Sequence, residues 1–596
     1  MTYEEIALHL ERDLLAAITA AYGGDVSVPQ VKVSIPTDKD KADFVTNAAF
    51  LLSKQVQQSP LAVAETIVAQ LVGHRDGDRE LYIARAAAPG FINFKLSDGL
   101  LQQVLTAVLA AGADFGRNDS LDGQTWVIEH TSPNPNKAMH VGHLRNNLIG
   151  MSVAEILAFS GAKVIRDSID NDRGIAIAKA MWGYLEYKRT DGAHGKDVTY
   201  WSSHRDEWLT PEAAGSKPDH FVGDCYTLAS EAAKADPAVD AAIRQMALLW
   251  ERHDADVWAL WELIVGYAHQ GIDMTMERVG SHWDTVWHEH EHYEQGRDLV
   301  LAGLEKGVFQ RLDDGAVLTH LEDYKLPDTI AIKSDGTSLY ITQDIALTKL
   351  KKETYQADKL IWVIGPEQSV AMKQVFAICE QLGIGSRDDF IHLPYGLVSI
   401  LDENGSRKKM SSRGGNTLLI DDLIDEVAKV LLSTDRGYDE HDAERIAISA
   451  IKYAMLKPAR TTNTVIDIKQ AISLDGDSGL YLLYTIARTN TLQEKAGGQP
   501  DDREQTYAFN DSERDILKKL LYFPEKVRLA AEHYSPNILV EYALDIAHDF
   551  NALYAKERFI TDDPQETAKK LAVNDAVRQV LLNCLRLLHI DTVSKI

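Results

Sequence analysis

Short apolar runs alternate with amphipathic segments through the middle of the chain. Between about residues 120 and 435 the apolar runs predict buried strands, and segments with apolar residues three and four apart predict helices. The predicted strands are Thr125–Glu129, Ala162–Arg166, Leu360–Ile364 and Ile391–Ile400, and the predicted helices are 143–159, Ile175–Tyr187, Val370–Leu382 and 419–428. This alternation is typical of a doubly wound parallel sheet. Residues 190–290, rich in Trp, His and acids, are predicted to be an insertion into it.

The two ends of the chain carry other patterns. Residues 1–115 combine helical spacing over 3–22 and 44–73 with strand-like segments at Gln30–Ile35 and Gly90–Leu96. From 437 to 596 the pattern is almost wholly helical. Ser535 and Pro536 are predicted as the N-cap and first residue of one such helix. Its apolar stripe comprises Leu539, Tyr542, Ala543, Ile546, Phe550 and Leu553.

These patterns predict a multidomain α/β protein. Its parts are an α+β N-terminal domain at 1–115, a Rossmann-type parallel-sheet domain at 120–435 and an all-α helical bundle at 437–596. With 596 residues, the chain is too long for a single core.

Composition narrows the class of protein. The chain is 45% hydrophobic and 25% charged, which is typical of a globular protein. No apolar run approaches the length of a membrane span, and the acidic, amphipathic start does not resemble a signal or transit peptide. We therefore predict a cytoplasmic protein without membrane contact. Its three widely spaced cysteines are predicted to be reduced and mostly buried.

The charge balance argues against indiscriminate binding of nucleic acid. The formal net charge is -27, and such a surface repels phosphates. A local basic surface could still bind RNA, with the acidic remainder suppressing non-specific association.

One candidate site for phosphate follows the first strand of the sheet domain. Residues 132–143 read SPNPNKAMHVGH and lead from a strand into a helix, whose free N–H groups and dipole attract anions. Gly142 would let ATP approach the backbone. His140 and His143 lie three residues apart, so one helical turn can direct both at a triphosphate and stabilise the charge of leaving pyrophosphate. Histidines at a helix start are more often caps or surface residues, so these two alone would be weak support.

A second candidate lies far along the chain. Residues 408–416 read KKMSSRGGN and form a cationic loop before a predicted helix. Lys409 would contact the phosphates, and Gly414 and Gly415 would let the loop close over ATP and reopen. By itself this sequence would favour a solvated basic loop.

Together the two segments resemble the HIGH signature and the KMSKS loop of class I aminoacyl-tRNA synthetases. Ser412 stands where most of these enzymes have a second lysine. Arginyl-tRNA synthetases commonly share this loss and carry a lysine just before the HIGH signature, as Lys137 does here. The resemblance implies catalytic roles for His140, His143, Lys409 and Lys137. It also implies a site for ATP, bound with Mg²⁺ as a substrate, formed by Asn134, Lys137, His140, Gly142, His143, Lys409, Met410, Ser411 and Ser412.

An arginine pocket needs carboxylates, because a guanidinium is always charged and presents a planar fork of donors. Residues 335–346 read DGTSLYITQDIA and resemble the D-G-T-x-x-Y-x-T-x-D-I-A pattern of arginyl-tRNA synthetases. The resemblance implies arginine ligands at Glu129, Asn134, Tyr340, Asp344 and Gln368. A carboxylate left unpaired in this pocket is costly, so citrulline should be rejected. Without the resemblance, Asp344 would as readily be a surface acid.

Two further stretches resemble the RNA-contacting parts of the same family. Residues 35–39 and 88–94 resemble its N-terminal domain, which contacts the outer corner of tRNA. Residues 473–488 resemble the start of its helical anticodon-binding domain, which implies tRNA contacts by Tyr481, Tyr484 and Arg488. Each of these three could equally be a core or surface residue of a helix.

Some residues depart from the family pattern. Arg173 and Leu483 replace residue types usual in the family, and the end of the chain lacks the usual methionine. Residues 288–292 read HEHEH, and on a strand all three histidines would share one face and could bind zinc. We nevertheless predict no tightly bound metal.

The resemblance covers nearly the whole chain and implies an arginine–tRNA ligase. Its substrates would be arginine, ATP and tRNA(Arg), activation of arginine would require tRNA, and the protein would be a monomer. Two alternatives remain: another class I synthetase, which residues 335–346 disfavour, and a tRNA-binding regulator without catalysis, which the intact His140, His143 and Lys409 disfavour.

Overall fold

The computed structural model describes residues 3–23, 26, 31–34, 36, 42–71, 75–76, 79–401, 407–408, 418–434, 436–474, 476–497 and 507–593. It contains an α+β region, a parallel α/β region and an all-α region in this order along the chain. The predicted fold class is therefore confirmed. Among the described helices, none has the length and apolar character needed to cross a membrane.

The first region packs helices on a small antiparallel sheet. Its helices are Tyr3–Tyr22, Ala48–Ser53, Pro60–Gln70 and Asp98–Ala111, and its strands are Phe44–Thr46, Arg75–Asp76, Arg79–Glu80, Tyr82–Ala87 and Phe91–Leu96. The helical pattern predicted over 44–73 is confirmed only in part, by Ala48–Ser53 and Pro60–Gln70. Phe44–Thr46 is a strand paired with Phe91–Leu96. Helix Ala48–Ser53 ends before Ser59, which is the N-cap of the next helix and is followed by Pro60 in its first turn.

Only part of the strand predicted at Gln30–Ile35 can be compared with the structure. Ser34 forms an isolated bridge with Val45, residues 31–33 are not strand, and Gln30 and Ile35 lie outside the described residues.

A five-stranded parallel sheet forms the centre of the molecule. Its strands lie in the order Phe390–Leu393, Lys359–Val363, Thr125–Glu129, Lys163–Asp170 and Thr285–His288. The helices that connect or flank them include Val141–Phe159, Ile175–Tyr187, Tyr340–Tyr355 and Ser369–Gln381. The first three predicted strands and the first three predicted helices are confirmed to within a few residues, because buried parallel strands are short and largely apolar. Strand Thr285–His288 and helix Tyr340–Tyr355 were not predicted.

Most of the predicted insertion is helical. Its helices are Val198–Ser203, Pro218–Ala235, Pro237–Glu251 and Ala255–Arg278, and its core is rich in Trp and Tyr side chains. The chain then returns to the main sheet through the edge strand Thr285–His288. It continues with helices Glu289–His292 and Gln295–Glu305 and with a small sheet of Gln310–Arg311, Val317–Thr319 and Thr329–Ile332.

The single strand predicted at Ile391–Ile400 is wrong. Phe390–Leu393 ends in the main sheet, and Val398–Leu401 joins a second sheet with Arg407–Lys408 and Thr464–Ile466. Pro394 and Gly396 separate the two, and a Cβ on Gly396 would lie only 2.2 Å from the Thr462 carbonyl oxygen.

The last region is a helical bundle. Helix Ile420–Leu432 leads to the helices Glu440–Leu456, Ile468–Ala471, Gly479–Ala496, Asp511–Leu521, Phe523–His533, Asn537–Lys556 and Pro564–Leu587. The predicted stripe of helix Asn537–Lys556 is buried throughout. This helix begins later than predicted, with Pro536 at the N-cap position and no side-chain cap, so Ser535 is not its N-cap.

Candidate active site

Several polar side chains meet at one edge of the main sheet. Glu129, Asp170 and His288 each end a strand, and the three strands are parallel and adjacent. Carboxyl ends of parallel strands are where α/β folds bind ligands. The HIGH-like segment starts at this edge, directly after Glu129.

His140 and His143 form a reciprocal cap on helix Val141–Phe159. Nδ1 of His140 accepts hydrogen bonds from the backbone N–H groups of Gly142 and His143, at 3.2 and 3.4 Å. Nδ1 of His143 accepts from the backbone N–H of His140, at 3.2 Å. The rings stack with their centroids 3.8 Å apart.

This geometry fixes the protonation of both rings. Because each Nδ1 accepts a hydrogen bond, each neutral imidazole carries its proton on Nε2 and can donate it to an anion. Burial, with the charge of Lys137, lowers the pKa of His140 to about 4. Burial, with the neighbouring His140 and the charge of Lys137, lowers the pKa of His143 well below its usual range. Near neutral pH both histidines are therefore uncharged donors.

The residues just before the helix vary in exposure. Lys137 is partly buried, which lowers the pKa of its amine, whereas Asn134 is exposed. Gly142 lies against the His140 ring, and a Cβ there would be 3.0 Å from two of the ring atoms. A larger residue at 142 would therefore disturb the histidine pair.

The chain that follows the second motif hydrogen-bonds to the first. Backbone N–H of Val141 donates to the Leu418 carbonyl at 3.2 Å, and that of Ile420 donates to the Met139 carbonyl at 3.1 Å. Lys408, the residue before the motif's core, pairs with Ile400 in the second sheet. Lys409, Met410, Ser411 and Ser412 lie outside the described residues. The chain directly after the second motif is therefore joined to the HIGH-like segment.

A buried lysine holds the first predicted arginine ligand. Nζ of Lys351 lies 2.6 Å from Oε2 of Glu129 and 2.9 Å from Oδ2 of Asp167. Lys351 and Asp167 are almost completely buried, and Glu129 is 9% exposed. Burial raises the pKa of Asp167 to about 6 against the opposing effect of Lys351. Trp287 also donates from Nε1 to Asp167 at 3.1 Å.

Three other predicted arginine ligands, Tyr340, Asp344 and Gln368, are exposed. Tyr340 starts helix Tyr340–Tyr355 and is 80% exposed, and Asp344 follows one turn later. Asp344 opens to solvent, yet the surrounding protein and the charge of Glu129 raise its pKa to about 7. Gln368 ends the short 3₁₀ helix Pro366–Gln368 and is exposed. The structure thus brings Asp344 near Glu129 and leaves Tyr340 and Gln368 at the surface.

Glu289 adds a third acid to this cleft. It lies near Asp344, and burial raises its pKa. Its Oε1 is 3.7 Å from Arg173, whose guanidinium stacks on Tyr293 at 4.0 Å. Arg173 also pairs with Glu251 at 3.2 Å. Arg173, which departs from the family pattern, therefore connects Glu251 of the insertion helices to Glu289.

The histidine-rich run does not form the predicted strand. The edge strand ends at His288, and Glu289–His292 form one helical turn. His288 contacts Asp170 at the end of the neighbouring strand and His290 contacts Asp172 just after it, whereas the ring of His292 packs on Trp287. The three histidines therefore do not share one face.

The predicted RNA-contacting residues lie on helix Gly479–Ala496. Arg488 lies over the rings of Tyr484 and Tyr554, at 4.7 and 4.5 Å, and Tyr481 packs against His548. Arg488 thereby ties this helix to helix Asn537–Lys556. Contact of these side chains with tRNA remains a prediction.

Sequence reasoning missed the roles of Asp167, Glu289 and Lys351. Asp167 directly follows the predicted strand Ala162–Arg166, so its burial could have been anticipated, and a buried acid needs a partner. Lys351 stands among other charged residues of a helix, and nothing in its local sequence indicates burial.

Three family models match the chain in order. "Arginyl tRNA synthetase N terminal domain" matches residues 8–96, "tRNA synthetases class I (R), catalytic domain" matches 104–194 and 207–468, and "DALR anticodon binding domain" matches 482–596.

Curated relatives agree over nearly their full length. Arginine–tRNA ligase of Treponema denticola is 32% identical, with 94% of each chain covered. Arginine–tRNA ligase of Borreliella afzelii is 30% identical, with 96% of each chain covered.

Solved structures share the fold. Arginyl-tRNA synthetase of Thermus thermophilus aligns with a TM-score of 0.71 at 22% identity, covering 98% of this chain and 100% of the other. That of Plasmodium falciparum aligns with a TM-score of 0.73 at 16% identity, covering 99% of each chain. The catalytic-domain match alone spans more than half of the residues. Taken with the paired HIGH-like and KMSKS-like segments, these matches confirm the predicted family: the chain belongs to the arginyl-tRNA synthetases of class I.

Proposed function

We propose that this chain attaches arginine to tRNA(Arg) in two steps at the edge of the main sheet. In the first step a carboxylate oxygen of arginine bonds to the α-phosphorus of ATP, the bond to the β-phosphate bridge breaks, and pyrophosphate leaves. In the second step a hydroxyl of the terminal adenosine, the 2′-hydroxyl as in other class I enzymes, attacks the arginyl carbonyl and AMP leaves. The backbone hydrogen bonds between Met139–Val141 and Leu418–Ile420 carry this proposal, because they join the first motif to the chain that directly follows the second.

His140 and His143 stabilise the triphosphate in the first step. Their Nε2–H groups donate to phosphate oxygens as negative charge develops on pyrophosphate. Their lowered pKa values keep them neutral, so they neither require nor release a proton during the step. Lys137 and Lys409 supply the positive charge, Gly142 admits ATP to the helix N-terminus, and Asn134 with Met410, Ser411 and Ser412 completes the ATP site.

Arginine lies in the acidic cleft. Glu129 and Asp344 pair with the guanidinium, and Tyr340, Asn134 and Gln368 close over the substrate. Lys351 neutralises part of the charge of Glu129, which leaves a net negative cleft suited to one cation. Citrulline has the same shape without the charge and would leave these carboxylates unpaired.

The remaining partners follow from this activity. ATP enters with Mg²⁺ as a substrate complex, and the helical region, including Tyr481, Tyr484 and Arg488, reads tRNA. The enzyme works as a cytoplasmic monomer, and its three buried, unpaired cysteines suit a reducing compartment.

Arginine-dependent exchange between ATP and pyrophosphate tests the proposal. We expect exchange with arginine only when cognate tRNA is present, and none with citrulline or lysine. Exchange with another amino acid would mean that the pocket is misassigned. Absence of exchange in a protein that still binds tRNA would favour the non-catalytic regulator, and full activity of Lys409→Ala would contradict the role of that lysine.

A further inference from the structure

Two aspartates and three histidines form a compact cluster beside the proposed active site. Asp170 ends one sheet strand and Asp172 follows it, His288 ends the neighbouring strand, and His269 lies on helix Ala255–Arg278. His290 completes the set. Neither these residues nor the cavity beside them are needed for the adenylation chemistry described above.

The side chains converge on two aspartate oxygens. Nε2 of His269 lies 2.6 Å and Nδ1 of His288 lies 3.0 Å from Oδ2 of Asp170. The same His288 nitrogen lies 3.5 Å from Oδ2 of Asp172. One imidazole nitrogen therefore faces two carboxylates and carries at most one proton to share between them. The two aspartates are 5% and 1% exposed, so water screens their mutual repulsion poorly.

The arrangement fits a bound divalent cation better than hydrogen bonds alone. Asp170, His269 and His288 place their ligand atoms within 4.8 Å of one another, as do Asp172, His288 and His290. Ligand atoms at zinc bond lengths in a tetrahedron are roughly 3.4 Å apart, so shifts of less than about 1 Å would suffice. Because both groups use the same nitrogen of His288, they can hold one cation between them.

We propose that this cluster binds one divalent cation of the zinc class. His269, His288, Asp170 and Asp172 are the ligands, and imidazole with carboxylate favours zinc or a neighbouring transition metal over Mg²⁺. His290, whose Nδ1 is 2.5 Å from Asp172, orients that carboxylate. Two carboxylates balance the double charge of the cation. A cavity of about 190 Å³, lined by Asp170, His269, Asp273 and His288, gives access from solvent.

The consequence is structural. The cation would tie together the loop after Lys163–Asp170, the edge strand Thr285–His288 and the insertion helix Ala255–Arg278. It would thereby fix one wall of the cleft that contains Glu289. The site is independent of the proposed ligase activity, so either can fail without the other.

Metal binding by the full-length, untagged chain tests the proposal. The protein is stripped with a chelator, titrated with Co²⁺ and then Zn²⁺, and followed by visible d–d absorption and by metal analysis after dialysis. We expect one equivalent of cobalt with the absorption of a low-symmetry site, displaced by zinc, and a higher unfolding temperature with zinc. His288→Gln should weaken binding at least about a hundredfold, because even outer partners of metal ligands change affinity by 10- to 100-fold.

Two variants keep the test decisive. His269→Gln changes a side chain that is one-third exposed, so it should fold normally and still lose tight binding. His292→Gln is the matched control, because its ring lies in the same run but packs on Trp287. Absence of stoichiometric cobalt in the wild-type chain would overturn the proposal. Equal binding by wild type and His288→Gln would also overturn it, since that would mean adventitious binding by other histidines.

Discussion

At the scale of single residues, the position of Glu129 depends on how a few buried charges at the sheet edge are paired. Lys351 is 1% exposed and lies between Glu129 and Asp167. Among the described residues, no other lysine or arginine forms an ion pair with either acid. Breaking such a pair by removing one partner leaves an uncompensated charge in a poorly solvated place. The lysine therefore fixes the position of the Glu129 carboxylate.

Lys351→Met should destabilise the protein strongly. We expect the free energy of unfolding to fall by about 3–5 kcal/mol, because both acids lose their buried cation. Urea unfolding followed by circular dichroism measures this. Lys349→Met on the same helix is the control: its exposed pair with Glu353 should change the same quantity by less than about 0.5 kcal/mol. Similar effects of the two variants would contradict the structural role of Lys351.

Arginine affinity should depend on the protonation of Asp344. The surrounding protein and the charge of Glu129 raise its pKa to about 7, against the opposing effect of Lys351, and Glu289 adds a smaller effect. The carboxyl is neutral below that pH and charged above it, so affinity should rise as pH increases through 7. At pH 6 we expect arginine to bind about tenfold more weakly than at pH 8, as the competent fraction falls.

The Michaelis constant for arginine, measured from pH 6 to 8, checks this expectation. Asp344→Asn should bind arginine weakly and show a flat profile over the same range. A flat profile in the wild-type enzyme would contradict the assignment of Asp344 to the guanidinium.

At the scale of elements, helix Val141–Phe159 starts with a cap that is also a proposed catalytic group. His140 accepts two backbone N–H groups at the helix N-terminus, which would otherwise remain unpaired. The same ring presents its Nε2–H for phosphate. Stability and catalysis are therefore coupled in one side chain, and substitutions can separate them.

His140→Asn should keep the helix and lose the chemistry. Asn is a good N-cap, so we expect the free energy of unfolding of His140→Asn to stay within a few tenths of a kcal/mol of wild type. That of His140→Ala should fall by about 1 kcal/mol. Both should lower the rate of arginine-dependent pyrophosphate exchange on the order of a hundred- to a thousandfold, since a donor to the developing charge is lost. Thermal unfolding and exchange rates, measured on the same preparations, separate the effects. Wild-type exchange by His140→Asn would refute the donor role.

At the scale of the whole molecule, the last described residues connect separate regions. This C-terminal strap, His589–Val593, lies on helix Glu440–Leu456, where Lys452 donates to the His589 carbonyl at 2.7 Å and Ser449 donates to the Asp591 carbonyl at 2.9 Å. The His589 ring also contacts the Gly280 carbonyl, just before the edge strand of the main sheet. The strap therefore links the bundle to the wall of the cleft.

Removal of residues 589–596 should destabilise the chain as a whole. Ile590 and Val593 are 5% and 2% exposed, so their loss should reduce the free energy of unfolding by roughly 3–6 kcal/mol at about 1.5–3 kcal/mol for each side chain. Chemical denaturation of the truncated protein measures the change. Asp591→Ala is the control, because its side chain is 70% exposed and its pair with Lys452 is long. A truncated protein as stable as the full chain would show that the strap adds little.

The sequence pattern predicted some elements of the fold correctly and others wrongly. Strand Thr125–Glu129 and helix Ile175–Tyr187 were predicted with their observed bounds, because a run of apolar residues or a helical stripe depends only on neighbours in the chain. The strand predicted at Ile391–Ile400 was wrong, because the pairing partner of Val398–Leu401 is Thr464–Ile466, more than sixty residues away. Local pattern cannot specify which sheet a strand joins.

The sequence by itself determined the family, the fold class and the two segments typical of class I synthetases, because glycines, histidines and lysines at fixed spacing can be recognised in the chain itself. Only the tertiary structure decided which charges meet. Lys351 reaches Glu129 across 222 positions, and His288 reaches Asp170 across 118. Electrostatic energy depends on distance in space and on burial, and neither can be inferred from neighbours in the sequence.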